Sequence, residues 1–330
     1  MLPGDRADFP SFLFHIAYHN CHLSTGRLKS VAPPITGCSK LESIHTVSWM
    51  KQVARRASAG ERAIGFVPTM GALHEGHFSL VREAKRQCSS VVVSIFVNPS
   101  QFGPSEDFKK YPRQMERDRA ALEKLDVDYL FAPSVEEIYP KGFQTSVIVD
   151  ALSDRVEGRA RPGHFRGVAT VVLKLFEIVR PNVAFFGRKD AQQARIIGQM
   201  ARDLDLDVSI RTCPIVREPD GLAISSRNAY LNPPERKSAT VLYRSLDALQ
   251  QTVDQGERDA VQLLKTVREV IGTEAGVRLD YAELVDADTF EPVIRLRGNC
   301  YVLLAAFAGT TRLIDNAFIE QDGDLFRVRI

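Results

Sequence analysis

From Ile44 onward, short apolar runs alternate with stretches whose apolar residues recur at helical spacing. Residues 63–67 read as a strand that Pro68 stops, because proline has no N–H to give a sheet ladder. After a turn containing Gly71, residues Leu80, Val81 and Ala84 share one face while Arg82, Lys85 and Arg86 take the other, which predicts a helix. Residues 90–97, SVVVSIFV, form a continuous β-branched run of the kind buried on both faces of a parallel sheet. The same reasoning predicts strands at 127–132, 145–149, 183–186 and 208–212, and helices over 48–56, 114–125, 168–179 and from 190 to about 202. Ser48 is the expected cap of the first helix and Gly60 its end. Residues 155–167, rich in Gly and Arg, read as a mobile loop.

Strands alternating with helices imply a parallel sheet with right-handed crossovers. Ligands of such sheets bind beyond the carboxyl ends of the strands, which here means the loops after Val67, Val97 and Phe186. The pattern changes after Pro214. Asn232-Pro233-Pro234 starts a helix with a cap and a proline in its first turn. Helices near 234–255 and 259–274 then precede strands at 279–285, 300–307 and 311–319. The expected fold class is α/β, a Rossmann-like parallel-sheet domain followed by a smaller α+β C-terminal domain. The expected boundaries are an irregular extension over 1–43, a nucleotide-binding domain over 44–214 and the smaller domain over 215–330.

The turn and helix after the first strand carry His74-Glu75-Gly76-His77. A helix N-terminus offers unpaired N–H groups and a partial charge of roughly +0.5, which suits phosphate. Gly76 is expected to let a ligand approach the backbone closely, and two imidazoles beside that position can donate hydrogen bonds to phosphate oxygens. The stretch therefore reads as a nucleotide phosphate site. A zinc-protease helix requires histidines at i and i+4, and these stand at i and i+3. No Walker A loop occurs. The blander alternative is that both histidines only cap a helix.

Composition narrows the class. The chain has 330 residues, 44% hydrophobic and 25% charged, enough for a sizeable core without disulfides. Its formal charge of +2 does not announce nucleic-acid binding. Five scattered cysteines form no C-x-x-C pair and favour a reduced, cytoplasmic setting. No apolar run approaches the ~18 residues of a membrane span. Residues 1–43 lack sustained periodicity. Their want of acidic residues between Phe9 and Leu41 faintly resembles a transit peptide, and His15, His19 and His22 beside Cys21 are spaced for a metal. The plainer expectation is a dispensable extension or a misassigned start.

PTMGALHEGH, SIFVNPSQF, FFGRKDAQQ, VREPDGLAISSRN and TTRLIDNAFIE follow one another in order. On these blocks the chain, from about 44 to 320, resembles the pantoate–β-alanine ligase (pantothenate synthetase) family of the nucleotidylyltransferase superfamily. The resemblance implies a cytoplasmic, usually homodimeric enzyme that condenses pantoate with β-alanine at the expense of ATP with Mg²⁺, through a pantoyl adenylate, with no nucleic-acid or membrane partner. It implies ATP contacts at Met70, Gly71, Ala72, Leu73, His74, Glu75, Gly76 and His77, at Gly187, Arg188, Lys189 and Asp190, and at Val216, Ile224, Ser225, Ser226 and Arg227. Among these it implies catalytic roles for His77, His74 and Lys189, with His77 as proton donor. Gln101 and Gln193 match the glutamines that hold pantoate, and Gln193 lies one helical turn beyond Lys189. No protein metal ligand is implied. Two departures stand out: Arg188 where the family often has Glu, and Ile224 where it often has Met or Leu. The first is expected to reverse a charge beside the site. An aminoacyl-tRNA synthetase relative and a non-catalytic nucleotide sensor are the competing readings.

Overall fold

The computed structural model describes residues 41–60, 63–104 and 106–330. The expectations for the extension, including the His15, His19 and His22 group, fall almost wholly outside the described residues. The described residues belong to one compact unit.

The first half of that unit is a six-stranded parallel sheet with its helices. In chain order these are β1 (Glu42–Ile44), α1 (Val47–Ala59), β2 (Ile64–Thr69), α2 (Glu75–Gln87), β3 (Ser90–Ile95), α3 (Met115–Lys124), β4 (Tyr129–Phe131) and α4 (Val135–Ile138). Then come α5 (Val156–Ala160), α6 (His164–Val179), β5 (Val183–Gly187), α7 (Ala191–Asp203) and β6 (Ser209–Cys213). The strand order is β1-β4-β3-β2-β5-β6, every pair parallel. The chain steps from β2 to β3 on one side and later places β5 on the other, so the β2/β5 boundary is the topological switch point. The two strands pair only at Gly65↔Val183 and Phe66↔Ala184 and then part. A crevice opens between their carboxyl ends.

The second half comprises α8 (Pro233–Ser238), α9 (Val241–Asp254), α10 (Ala260–Gly272), β7 (Val277–Asp286), β8 (Cys300–Ala308), β9 (Thr311–Asp322) and β10 (Leu325–Arg329). Its strands form an antiparallel sheet in the order β10-β9-β8-β7. One face of β8 and β9 joins Leu304, Ala306 and Ala317 to the helices α9 and α10. The other sends Leu303, with Val285 and Phe290, into the core of the parallel sheet.

Several local expectations are corrected. Pro68 does not stop β2, which continues to Thr69. The Thr69 carbonyl accepts from Phe96 N, just past the end of β3, so the backbone of Pro68 faces β5, where pairing has already ended and no N–H is needed. Thr46, not Ser48, caps α1, its hydroxyl accepting from Trp49 N at 3.3 Å. The strand expected at 145–149 is absent; Val147 N donates instead to Thr170 Oγ1 on α6 at 2.9 Å. The expected mobile loop at 155–167 is α5 and the first turn of α6. Arg161 there pairs with Glu106 at 2.6 Å and Glu157 at 3.5 Å. The helix expected at 234–255 is two, α8 and α9, and β10 was not foreseen. Nor was β1, which begins at Glu42, inside the stretch read as extension, and pairs with β4.

Candidate active site

The loop after β2 enters the crevice under tight backbone control. Gly71 and Ala72 take left-handed φ values of 83° and 51°, a conformation that L side chains rarely adopt. Asp118 of α3 holds that turn, accepting from Ala72 N and Leu73 N at 2.8 Å each while only 1% exposed. Ser226 Oγ donates to the Ala72 carbonyl at 3.1 Å and ties the turn to the C-terminal half.

His74 then caps α2. Its imidazole stacks on that of His77, with centroids 4.0 Å apart. His74 N donates to His77 Nδ1 at 3.4 Å, so the neutral His77 ring carries its proton on Nε2. Burial, helped by the Lys189 charge, holds the His74 imidazole down at about pKa 4. Burial, the neighbouring His74 and Lys189 hold His77 well below its usual value. Both are uncharged hydrogen-bond donors at neutral pH; bound phosphate would raise both, and only then could His77 give up a proton. His74 Nδ1 lies buried over the start of α2, in a capping-box arrangement with His77, without a hydrogen bond of ordinary geometry. The missing side chain of Gly76 also makes room for His74, since a Cβ there would stand 3.0 Å from His74 Cε1.

Lys189 arrives from the other side of the switch point, on the single turn Arg188–Asp190 that leads from β5 into α7. Its ammonium stands 3.5 Å from Asp190, its one ion pair among the described residues. Next to it, two adjacent glutamines divide their work. Gln192 is buried and structural, accepting from Glu157 N at 3.0 Å and donating to the carbonyls of Leu152 and Arg155 at 2.8 Å. Gln193 has no side-chain hydrogen bond among the described residues and faces the cavity. Gln101, on the turn Pro99–Gln101 after β3, is 9% exposed. Asn98 Nδ2 donates to its side-chain oxygen at 3.0 Å, and His164 Nδ1 bonds its backbone carbonyl at 2.8 Å.

These groups converge on one cavity of about 210 Å³ lined by Met70, His74, Gly76, His77, Gln101, Gly187, Lys189, Asp190, Gln193, Val216, Ile224, Ser225, Ser226 and Arg227. A wider space of about 1120 Å³ shares Lys189, Asp190, Gln193, Ser225 and Arg227 with it. Five of the expected ATP residues lie off the smaller cavity. Gly71, Ala72 and Leu73 shape the turn, and Glu75 faces outward to pair with Arg82. Arg188 also lies off it, with Tyr301, Arg329, Arg217 and Glu320 as its electrostatic neighbours, so its charge is not presented to the cavity. Arg227 donates from Nε and Nη2 to Asp107 at 3.0 and 2.9 Å, leaving Nη1 free among the described residues. Asp118 and Asn98 were missed by the sequence reading; the only available signal was a buried-type position for a polar residue beside a motif.

A cationic, half-enclosed crevice at the switch point of a doubly wound sheet defines the chain as a nucleotide-binding α/β protein. A sequence model of the family described as "Pantoate-beta-alanine ligase" matches residues 42–318. The chain is 55% identical over 271 residues to the pantothenate synthetase of Caldicellulosiruptor saccharolyticus, covering 82% of this chain and 96% of that one. The crystal structure of pantothenate synthetase from Thermus thermophilus matches with a TM-score of 0.80 at 45% identity, over 84% of this chain and 98% of that one. That of the pantoate-beta-alanine ligase from Francisella tularensis, complexed with beta-gamma ATP and beta-alanine, matches with a TM-score of 0.70 at 36% identity, over 84% and 97%. The chain belongs to the pantoate–β-alanine ligase family.

Proposed function

We propose that the chain is an AMP-forming ligase that condenses pantoate with β-alanine to pantothenate. The observation that carries the roles of its residues is the meeting of His77 and Lys189, from strands on either side of the switch point, with Gln101 and Gln193 on the wall of the same cavity. A pantoate carboxylate oxygen attacks the α-phosphorus of ATP; the new O–P bond forms as the bond to the β-phosphate oxygen breaks and pyrophosphate leaves. The amine of β-alanine then attacks the acyl carbon, the amide bond forms, a proton is lost from nitrogen, and AMP departs.

The first step concentrates negative charge on the phosphates, so fixed donors matter more than proton transfer. Lys189 supplies the cation, His77 Nε2–H and His74 supply neutral donors, and Ser225, Ser226 and Arg227 Nη1 receive the leaving pyrophosphate. Gln101, fixed by Asn98, and Gln193, free to turn toward a ligand, hold pantoate. ATP is read as its Mg²⁺ complex, in which the ion screens the phosphates from the incoming carboxylate. No group of three metal-ligating side chains occurs among the described residues. Asp190, on the cavity wall beside Lys189, would be the carboxylate available to an ion carried on the phosphates.

We read residues 215–330 as the part that closes the ATP site, because 216, 224 and 225–227 form one wall of it. A homodimer and a cytoplasmic setting are carried over from the family resemblance. No helix among the described residues is long and apolar enough to cross a membrane. Pantoate-dependent exchange of labelled pyrophosphate into ATP, without β-alanine, tests the reading. Exchange that ignores pantoate would refute it.

A further inference from the structure

Strand β9 interrupts an apolar run with two adjacent polar residues, Asp315 and Asn316, which are 3% and 1% exposed. Neighbouring residues on a strand point to opposite faces. Across the ladder, Asp315 lies opposite Leu304 of the C-terminal core and Asn316 opposite Leu303 of the parallel-sheet core. Each side chain thereby reaches a different wall of the crevice.

Asn316 Nδ2 donates to the backbone carbonyls of Arg188 and Lys189, 2.9 Å from each. Two carbonyl acceptors fix which end of the amide is nitrogen. Its Oδ1 is buried without a partner, so the residue gains its hydrogen bonds from the Lys189 turn at a cost elsewhere. Asp315 accepts two bonds from Arg217, at 2.8 and 2.9 Å. Arg217 Nη1 donates onward to the Gly221 carbonyl at 3.0 Å, and its guanidinium lies over the Tyr243 ring at 5.2 Å. Arg217 thereby braces the small hairpin closed by Ile224 N to the Val216 carbonyl at 3.0 Å, whose second arm runs into Ser225, Ser226 and Arg227.

We propose that Asp315 and Asn316 are positioning residues for adenylation: side by side on one strand, they set the spacing between the Lys189 turn and the loop carrying Ser225, Ser226 and Arg227. Asn316 lines neither part of the cavity and acts through Lys189. The inference rests on the reading of Lys189 as the cation that serves the phosphates.

The test uses the full chain with Asn316→Leu, which keeps the γ-branched four-atom side chain and removes both donors, and Asn316→Ser, which is smaller and keeps one. Pantoate-dependent pyrophosphate exchange, turnover of supplied pantoyl adenylate with β-alanine, and thermal melting are measured for each. For Asn316→Leu the adenylation kcat falls about 10- to 100-fold, the size expected of a small misplacement of reacting groups. The KM for pantoate and the second half-reaction change less than about threefold, because the loss belongs to the adenylation transition state. Asn316→Ser lies between Asn316→Leu and the unsubstituted enzyme. The proposal is overturned if folded Asn316→Leu adenylates normally, if both half-reactions fall together, or if neither variant folds, since Asn316 then serves stability alone. Absence of pantoate-dependent exchange in the unsubstituted enzyme, or full adenylation by Lys189→Ala, would instead remove the reading on which the proposal stands.

Discussion

Gly76→Ala separates the placement of His74 from the stability of the helix that carries it. Gly76 is the second residue of α2, and a Cβ there would stand 3.0 Å from His74 Cε1 and 3.1 Å from Nδ1. The ring must yield by a few tenths of an ångström, which moves it against the stacked His77 ring and away from its position over the helix start. Replacing glycine by alanine within a helix gains up to about 1 kcal/mol. Holding the imidazole off its rotamer costs about 0.5–1.5 kcal/mol. The two nearly cancel, so the melting temperature barely moves. Adenylation does not share that cancellation: displacement of a phosphate donor lowers its kcat/KM by about 10- to 100-fold. Pyrophosphate exchange and a thermal melt on the same preparation read both numbers. A variant with unchanged melting and unchanged exchange would refute the role given to the His74 contact.

Four further outcomes are expected. Gln193→Leu raises the KM for pantoate without loss of stability, whereas Gln192→Leu strands three buried backbone groups and costs about 1–3 kcal/mol in denaturant unfolding, with little direct effect on substrate. Arg188→Glu leaves adenylation within about threefold, because the side chain lies off the cavity; a tenfold change would contradict its placement. His164 is held near pKa 4 by burial and by Arg161, below its ordinary 6.5. The unfolded chain therefore binds more protons below pH 6.5, and stability falls as pH drops toward 4, by about 3 kcal/mol for this residue; His164→Gln should flatten that slope in denaturant melts across the interval. Deleting 1–40 leaves β1 intact, whereas deleting 1–43 removes two of its three residues and lowers the melting temperature.

β3 was legible as a compact β-branched run whose composition alone announces burial, and β2, β4, β5 and β6 as short runs set between helical stretches, whereas β1, three residues long, was not. The histidines were legible from their position after a strand and at a helix start. The switch point was not, since strand order is decided by contacts that no local pattern encodes. The closeness of Gly76 to the His74 ring was not legible either: a missing Cβ leaves space, but only the fold shows that His74 stands beside it. Asp118 bonds a turn 45 and 46 residues away, Asp315 a partner 98 residues away and Asn316 carbonyls 127 and 128 residues away. Adjacent polar residues in the strand run LIDNAFI, where alternation fails, were the one local sign that β9 does more than pack.

The most direct measurement follows oxygen. Pantoate labelled with ¹⁸O in its carboxylate is incubated with ATP, Mg²⁺, β-alanine and the enzyme, and the products are weighed by mass spectrometry. Attack of that carboxylate on the α-phosphorus, followed by departure of AMP, leaves one labelled oxygen on the phosphate of AMP and one in pantothenate. Label that appears in pyrophosphate or orthophosphate, or AMP that carries none, would contradict the adenylate mechanism.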